Sequence, residues 1–272
     1  MKNFLKNHAK ELSAGIIFLL AYVPTLIWMW DRWFARDSYY SHGILIPIVT
    51  LFLIWQKKDE LASVQKTGSK WGMGLIIMGM LMHVFASLMR VYFISGFSML
   101  VVLVGLILFF YGFAVFKKIL FPISFLVFMV PVPLVIITNI SFKMKIFAAK
   151  IATAMLNNAG IPALREGSLI HMRNAQVVVD DVCSGLRSLI SLMALGSIFA
   201  YWMKSSILKK CILFSVTIPI AVVTNVARII FLSLIAEIWG PQFAVGFVHD
   251  ASGLLVFALA FILLFATVKV LE

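Results

Sequence analysis

The chain has 272 residues, 62% of them hydrophobic and 12% charged, with a formal net charge of +12; soluble domains carry about 25% charged residues, so a water-soluble globular fold is excluded. Its two cysteines, Cys183 and Cys211, lie far apart without ligand-like spacing, which excludes a disulfide framework and a zinc site. Lysines and arginines stand in short clusters between apolar runs, a pattern of membrane topology and not of nucleic-acid binding.

Apolar windows of about 17 to 25 residues, long enough for a bilayer core of about 30 Å, recur along the chain. Met1 to Glu11 holds three lysines and is followed by no convincing small-residue cleavage site, so it opens an uncleaved first span. The apolar periodicity predicts spans over 13–30, 42–56, 71–89, 92–115, 119–138, 184–203, 211–235 and 249–268. Pro131 and Pro133 break the fifth of these, and a broken helix exposes backbone groups that lipid tolerates only beside protein or a wet cavity. Between 139 and 182 the chain changes character. Ser141 to Met155 is apolar, with Lys143 and Lys150 one heptad apart on one face, as in a helix lying in the interface. Ile161 to Val182, with Pro162, Gly167 and the run Gln176-Val177-Val178-Val179, predicts a short strand or hairpin. The expected fold class is an all-α polytopic membrane protein of about eight transmembrane helices, plus that interfacial helix and extracytoplasmic hairpin, in a single domain over 1–272.

Lysine and arginine excess marks cytoplasmic loops. With the amino end inside, the inner segments hold Lys2, Lys6, Lys10, Lys57, Lys58, Lys66, Lys70, Lys117, Lys118, Lys204, Lys209, Lys210 and Lys269, whereas the short outer loops hold Arg32, Arg36 and Arg90. Were 141–157 a span, Lys204, Lys209 and Lys210 would fall outside, so the interfacial reading is preferred. Counting about 20 residues per crossing from the inner lysines brings Cys183, Arg228 and His249 to one face, the outer one.

Each of these residues has two readings. Cys183 precedes a helix whose amino end favours a thiolate, with Arg187 four residues on; a membrane cysteine is otherwise a small buried apolar group, the reading taken for Cys211. Arg228, three residues from Asn225, is a functional candidate as a charged residue within a span, or it snorkels to headgroups. His249 is a titrating group, or with Asp250 and Ser252 an ordinary capped helix start. His83, alone in an apolar span, reads as structural. A second cluster on the outer side, Asp37-Ser38-Tyr39-Tyr40-Ser41-His42-Gly43, binds substrate or anchors the chain at the interface.

The ordered set Tyr40-Ser41-His42-Gly43, Pro131-Val132-Pro133, Cys183-Ser184-Gly185-Leu186-Arg187-Ser188, Asn225-Val226-Ala227-Arg228 and His249 resembles the exosortase and archaeosortase family of integral-membrane transpeptidases. The resemblance covers roughly residues 37 to 255. It implies a membrane-embedded cysteine protease and transpeptidase at the outer face of a bacterial inner membrane. Its partners would be exported proteins with a carboxy-terminal sorting tail: a short motif such as Pro-Glu-Pro, one transmembrane helix and a basic end. By matching positions Cys183 would be the nucleophile, Arg228 the stabiliser of developing charge and His249 the proton donor and acceptor. Arg187, Asn225, Ser184, Tyr40 and His42 would bind substrate or support the site. No metal or organic cofactor is required, membrane lipids are expected partners and nucleic acid is not. His249 stands where archaeal relatives tend to have arginine, which sets the chain nearer the bacterial branch. The competing expectation from the residues alone is a non-enzymatic carrier or export component for an anionic glycan or lipid, built around Arg187 and Arg228.

Overall fold

The computed structural model of the chain describes residues 9–36, 38–180 and 184–272; Lys2, Lys6, Asp37 and Cys183, used above, lie outside the described residues. The protein is a helical multi-pass membrane protein carrying one small β-sheet. Its contacts gather into two compact units, Met1–Val132 and Pro133–Glu272, so the boundary falls within the Pro131-Val132-Pro133 element.

The first unit begins with α1 (Ala9–Ala21) and α2 (Val23–Trp33), bent by 60°. Pro24 in the first turn of α2 has no N–H to continue the α1 ladder, which accounts for the bend. There follow α3 (Leu45–Gln56), α4 (Lys58–Ser63), α5 (Lys70–Leu88) and α6 (Tyr92–Phe125), the last running into a 3₁₀ turn at Leu126–Met129. Gly112 interrupts α6 with φ 80° and ψ −179°. A Cβ on Gly96 would lie 2.7 Å from a methyl of Val130, whereas a straight helix would part these positions by about 50 Å. The chain therefore folds back at Gly112 into two antiparallel arms, 92–111 and 113–129. The corner is tight: the backbone carbonyl of Thr67 fills the place a Cβ would need.

These arms correspond to the spans expected over 92–115 and 119–138, with two corrections. The reversal sits at Gly112 and not at Lys117 and Lys118, because only glycine enters that conformation freely. The second arm ends at Met129, and 134–138 open the next helix, because Pro131 and Pro133 cannot continue the hydrogen-bond ladder. Backbone groups at this break find partners. Trp33 Nε1 donates to the Met129 carbonyl at 2.9 Å, and the backbone N–H of Val132 donates to the Tyr40 phenol oxygen. Burial nevertheless pushes the Tyr40 phenol pKa up, because it outweighs that bond. Deeper in this unit Tyr22 Oη meets Ser98 Oγ at 3.0 Å, Thr25 Oγ1 meets Ser95 Oγ, and His83 Nδ1 meets Ser95 Oγ at 2.8 Å. His83 thus closes a structural polar network.

The second unit comprises α7 (Leu134–Asn158), β1 (Ala163–Glu166), β2 (Leu169–Met172), β3 (Gln176–Val178), α8 (Leu186–Trp202), α9 (Ile207–Trp239), a 3₁₀ turn at Pro241–Phe243 and α10 (Phe247–Leu271). The hairpin expected before Cys183 is an antiparallel sheet of order β1-β2-β3. The helix expected over 141–155 starts earlier, at Leu134, since Pro133 is well suited to precede a helix. Its alanines, Ala148, Ala149 and Ala152, let it approach closely; with Leu156 they pack on Ile170 and Val179 of the sheet side and on Val226 and Ile229 of α9. One apolar cluster therefore fixes the sheet and the middle of α9 against a single helix.

Among the described residues four helical stretches are long and apolar enough to cross a membrane, 70–88, 92–129, 207–239 and 247–271, or five with the bent α1–α2 pair. α3 and α8 are shorter apolar helices. Gly112→Ala should lower the thermal midpoint in detergent by the equivalent of about 2 kcal/mol or more, from backbone strain and the clash with Thr67. Gly15→Ala, where nothing stands within 4 Å of the added carbon, should leave the midpoint unchanged or raise it.

Candidate active site

Two side chains from different helices meet in the second unit. Arg228 projects from α9, and its Nε donates to Ser252 Oγ at 3.0 Å while its Nη2 donates to the His249 backbone carbonyl at 2.9 Å. The same Nη2 lies 3.3 Å from His249 Nε2. Ser252 Oγ in turn donates to the His249 carbonyl at 2.7 Å. A guanidinium is always protonated and can only donate, so the facing Nε2 carries the lone pair and the ring proton resides on Nδ1. That nitrogen lies 3.5 Å from Asp250 Oδ1, at the outer limit of a hydrogen bond, and the Asp250 side chain is 86% exposed. The site thus presents a fixed positive charge beside an imidazole. Arg228 Nη1 makes no hydrogen bond among the described residues.

Depth follows from helix length. Lys209 Nζ donates to the carbonyl of Leu271 at 2.6 Å, which puts the start of α9 beside the end of α10. Arg228 stands 19 positions along α9 and His249 stands 22 positions back along α10, so both lie about 30 Å from that lysine end, the thickness of a hydrocarbon core. α9 continues past Arg228 to Trp239, beyond the end of the span expected over 211–235, because its last three turns pack against the sheet side through Ala236 and Ala175.

One turn before Arg228, the buried side chain of Asn225 packs under Gly185, where a Cβ would come within 2.8 Å of it. Gly185 has φ 79°, a conformation that independently favours glycine. Ser184 is buried, and its Oγ accepts from the Leu186 N–H at 3.3 Å, so it braces the loop. α8 begins only at Leu186. The positive φ of Gly185 interrupts helical periodicity just before Arg187, while the placement of Cys183 lies outside the described residues. Arg187 is half-buried, and its Nε is buried without a hydrogen-bond partner among the described residues. Capping by Asp250 or Ser252 does not occur: α10 starts at Phe247 behind Gly246, and Ser252 instead orients Arg228.

Tyr40 and His42 belong to the first unit, where their rings lie 6.0 Å apart and Tyr40 braces the proline element. Sequence reasoning missed the role of Ser252, whose only signal was its spacing of three from His249 on one helix face. It also missed a cavity of about 300 Å³ between β3 and α9, with His249 in its wall.

The helical bundle and an Arg–His pair held one membrane thickness from the lysine-bearing helix ends define a polytopic membrane protein with a polar site. Residues 30–266 match the family model of the transmembrane exosortases, and the chain belongs to that family. The family's members are membrane transpeptidases, acting through cysteine on proteins that bear sorting signals. No curated protein and no solved structure matches the chain.

Gly185→Ala should destabilise the protein by at least about 1–2 kcal/mol from its left-handed backbone alone. Combining it with Asn225→Ala should cost less than the sum of the two single changes, since the second removes the atoms the new Cβ strikes. A thermal-melt double-mutant cycle in detergent measures this.

Proposed function

We propose that the chain is a cysteine transpeptidase that cleaves carboxy-terminal sorting tails of exported proteins at the periplasmic face of a bacterial inner membrane and hands them to an acceptor. The observation that carries this reading is the Arg228–His249 pair, one helical turn from an Asn225 that packs on Gly185, two residues after Cys183 in the chain.

In this reading the Cys183 thiolate attacks the scissile carbonyl carbon, and negative charge develops on the carbonyl oxygen. Arg228 offers that oxygen a donor that costs no reorganisation, because Ser252 and the His249 carbonyl already hold the guanidinium in place. The carbon–nitrogen bond breaks as His249 gives a proton to the departing amine, leaving a thioester on Cys183. The acceptor nucleophile then attacks, surrenders its proton to His249 and carries the acyl group away, which restores the thiolate beside a protonated His249. Arg187, Asn225 and Ser184 support the loop and the charge around the nucleophile. The tail would carry a short motif of the Pro-Glu-Pro kind before its transmembrane helix and basic end.

Cys183→Ala should abolish processing of a tail-bearing reporter at unchanged enzyme level, and unchanged processing would sink the proposal. Arg228→Lys keeps the charge but loses the planar fork and its Ser252 contact. It should reduce turnover by about 10²–10³-fold, the range found on removing one oxyanion donor.

A further inference from the structure

The two edges of the sheet are treated differently. In an antiparallel pair, residues that exchange both backbone hydrogen bonds alternate with residues that exchange none. The Val179 N–H donates to the Ser168 carbonyl and the Met172 N–H to that of Ala175. With the register Ile170↔Val177 this makes 175, 177 and 179 the residues that point their backbone groups at β2. The N–H and C=O groups of Gln176 and Val178 therefore point away from the sheet. Among the described residues nothing hydrogen-bonds to them. On the opposite edge the outward groups of Ala163 are both occupied, by Asn157 Oδ1 at 2.8 Å and Asn157 Nδ2 at 2.9 Å. An exposed edge is an invitation to pair, and proteins blunt it with charges, prolines or covering groups. β3 has none of these across Gln176-Val177-Val178, and Val178 is 54% exposed.

The residues of this edge strand line the cavity of about 300 Å³ together with Ile229 and Leu232 of α9 and Pro241 and Val245. The cavity has a direction. At its far end Ala175 packs with Ala236 and Ala244, and at its near end Val179 packs with Ile229, next to Arg228. His249 lines the same cavity. We infer that β3 is the recognition strand: the substrate's extended segment docks in this groove as a fourth strand, pairing with the outward backbone groups of Gln176 and Val178 so that its chain runs toward the Arg228–His249 pair. This rests on the transpeptidase reading and specifies how that site takes its polypeptide. Main-chain pairing would provide affinity irrespective of sequence, while every second side chain would face the apolar floor of Ile229 and Leu232 and so be selected for small or apolar character. A tail whose N–H groups face β3 at alternate positions cannot carry proline at those positions.

The test uses full-length Cys183→Ala protein in detergent with a photoreactive benzophenone side chain at position 178 or, as a control, at the exposed Leu164 on the other edge strand. The probe is a synthetic peptide covering the segment ahead of the transmembrane helix of a tail that the wild-type chain processes. Cross-linking to this peptide from 178 and not from 164 is expected. A product linking two copies of the chain, or equal yields at both positions, overturns strand addition. Separately, Val178→Pro removes only an outward N–H, which an edge strand tolerates, and should raise the apparent KM by about tenfold with kcat nearly unchanged. Should that variant fold poorly, an N-methyl scan of the peptide replaces it: methylation should weaken binding at every second residue, whereas a uniform response overturns the proposal. A chain in which Cys183→Ala abolishes processing but the scan shows no alternation is a transpeptidase without strand recognition. A chain that binds the peptide with alternation yet processes tails normally after Cys183→Ala has the recognition strand without the cysteine chemistry.

Discussion

A permanently charged group in the middle of an apolar helix is the constraint on which the second unit turns. Arg228 cannot lose its proton, and leaving it unpaired at this depth would be costly. The fold answers by bringing the first turn of α10 against α9, so that a backbone carbonyl and the Ser252 hydroxyl take two of its donors. The His249 ring arrives at the guanidinium as a consequence of that satisfaction, because the accepting carbonyl is its own. Structure and chemistry thus share one set of hydrogen bonds. Among the described residues Nη1 is the guanidinium nitrogen without a hydrogen bond.

The first unit shows the same logic with backbone groups. Prolines 131 and 133 end a helix, and the backbone groups released there, the Met129 carbonyl and the Val132 N–H, pair with Trp33 and Tyr40 from elsewhere in the unit. Tyr40 thereby connects the motif read as substrate-binding to the place where the two units divide in sequence. Gly112 solves a different problem, reversing the chain inside what the ladder of hydrogen bonds treats as one long helix. In both cases a single residue type with unusual backbone freedom or restriction sets where an arm ends, and side chains distant in sequence secure it.

Membrane class, helical content and the approximate place of each apolar segment were legible in the sequence, since long apolar runs have no other stable fate. The convergence of Arg228 and His249 was legible too, through a count of residues from the lysine clusters, because helix rise converts residue number into depth. Less was legible where backbone conformation overrides pattern. Periodicity could not show that Gly185 adopts a left-handed turn, nor that the arm after Gly112 stops at Met129, because apolar side chains continue on both sides. Ser252 looked like a cap, and its actual partner lies 24 positions away on another helix.

The amino-acid sequence by itself determined that this chain is a helical membrane protein, that its polar residues are placed at one depth, and that it carries the ordered motifs of the exosortases; composition, spacing and order are one-dimensional properties. Only the tertiary structure decided which donor meets which acceptor, which edge of the sheet is left open, and that this edge borders the same cavity as His249. Those outcomes depend on angles at a few residues, Gly112 and Gly185 among them, and on close packing of α7 alanines against strand and helix, which no local pattern encodes.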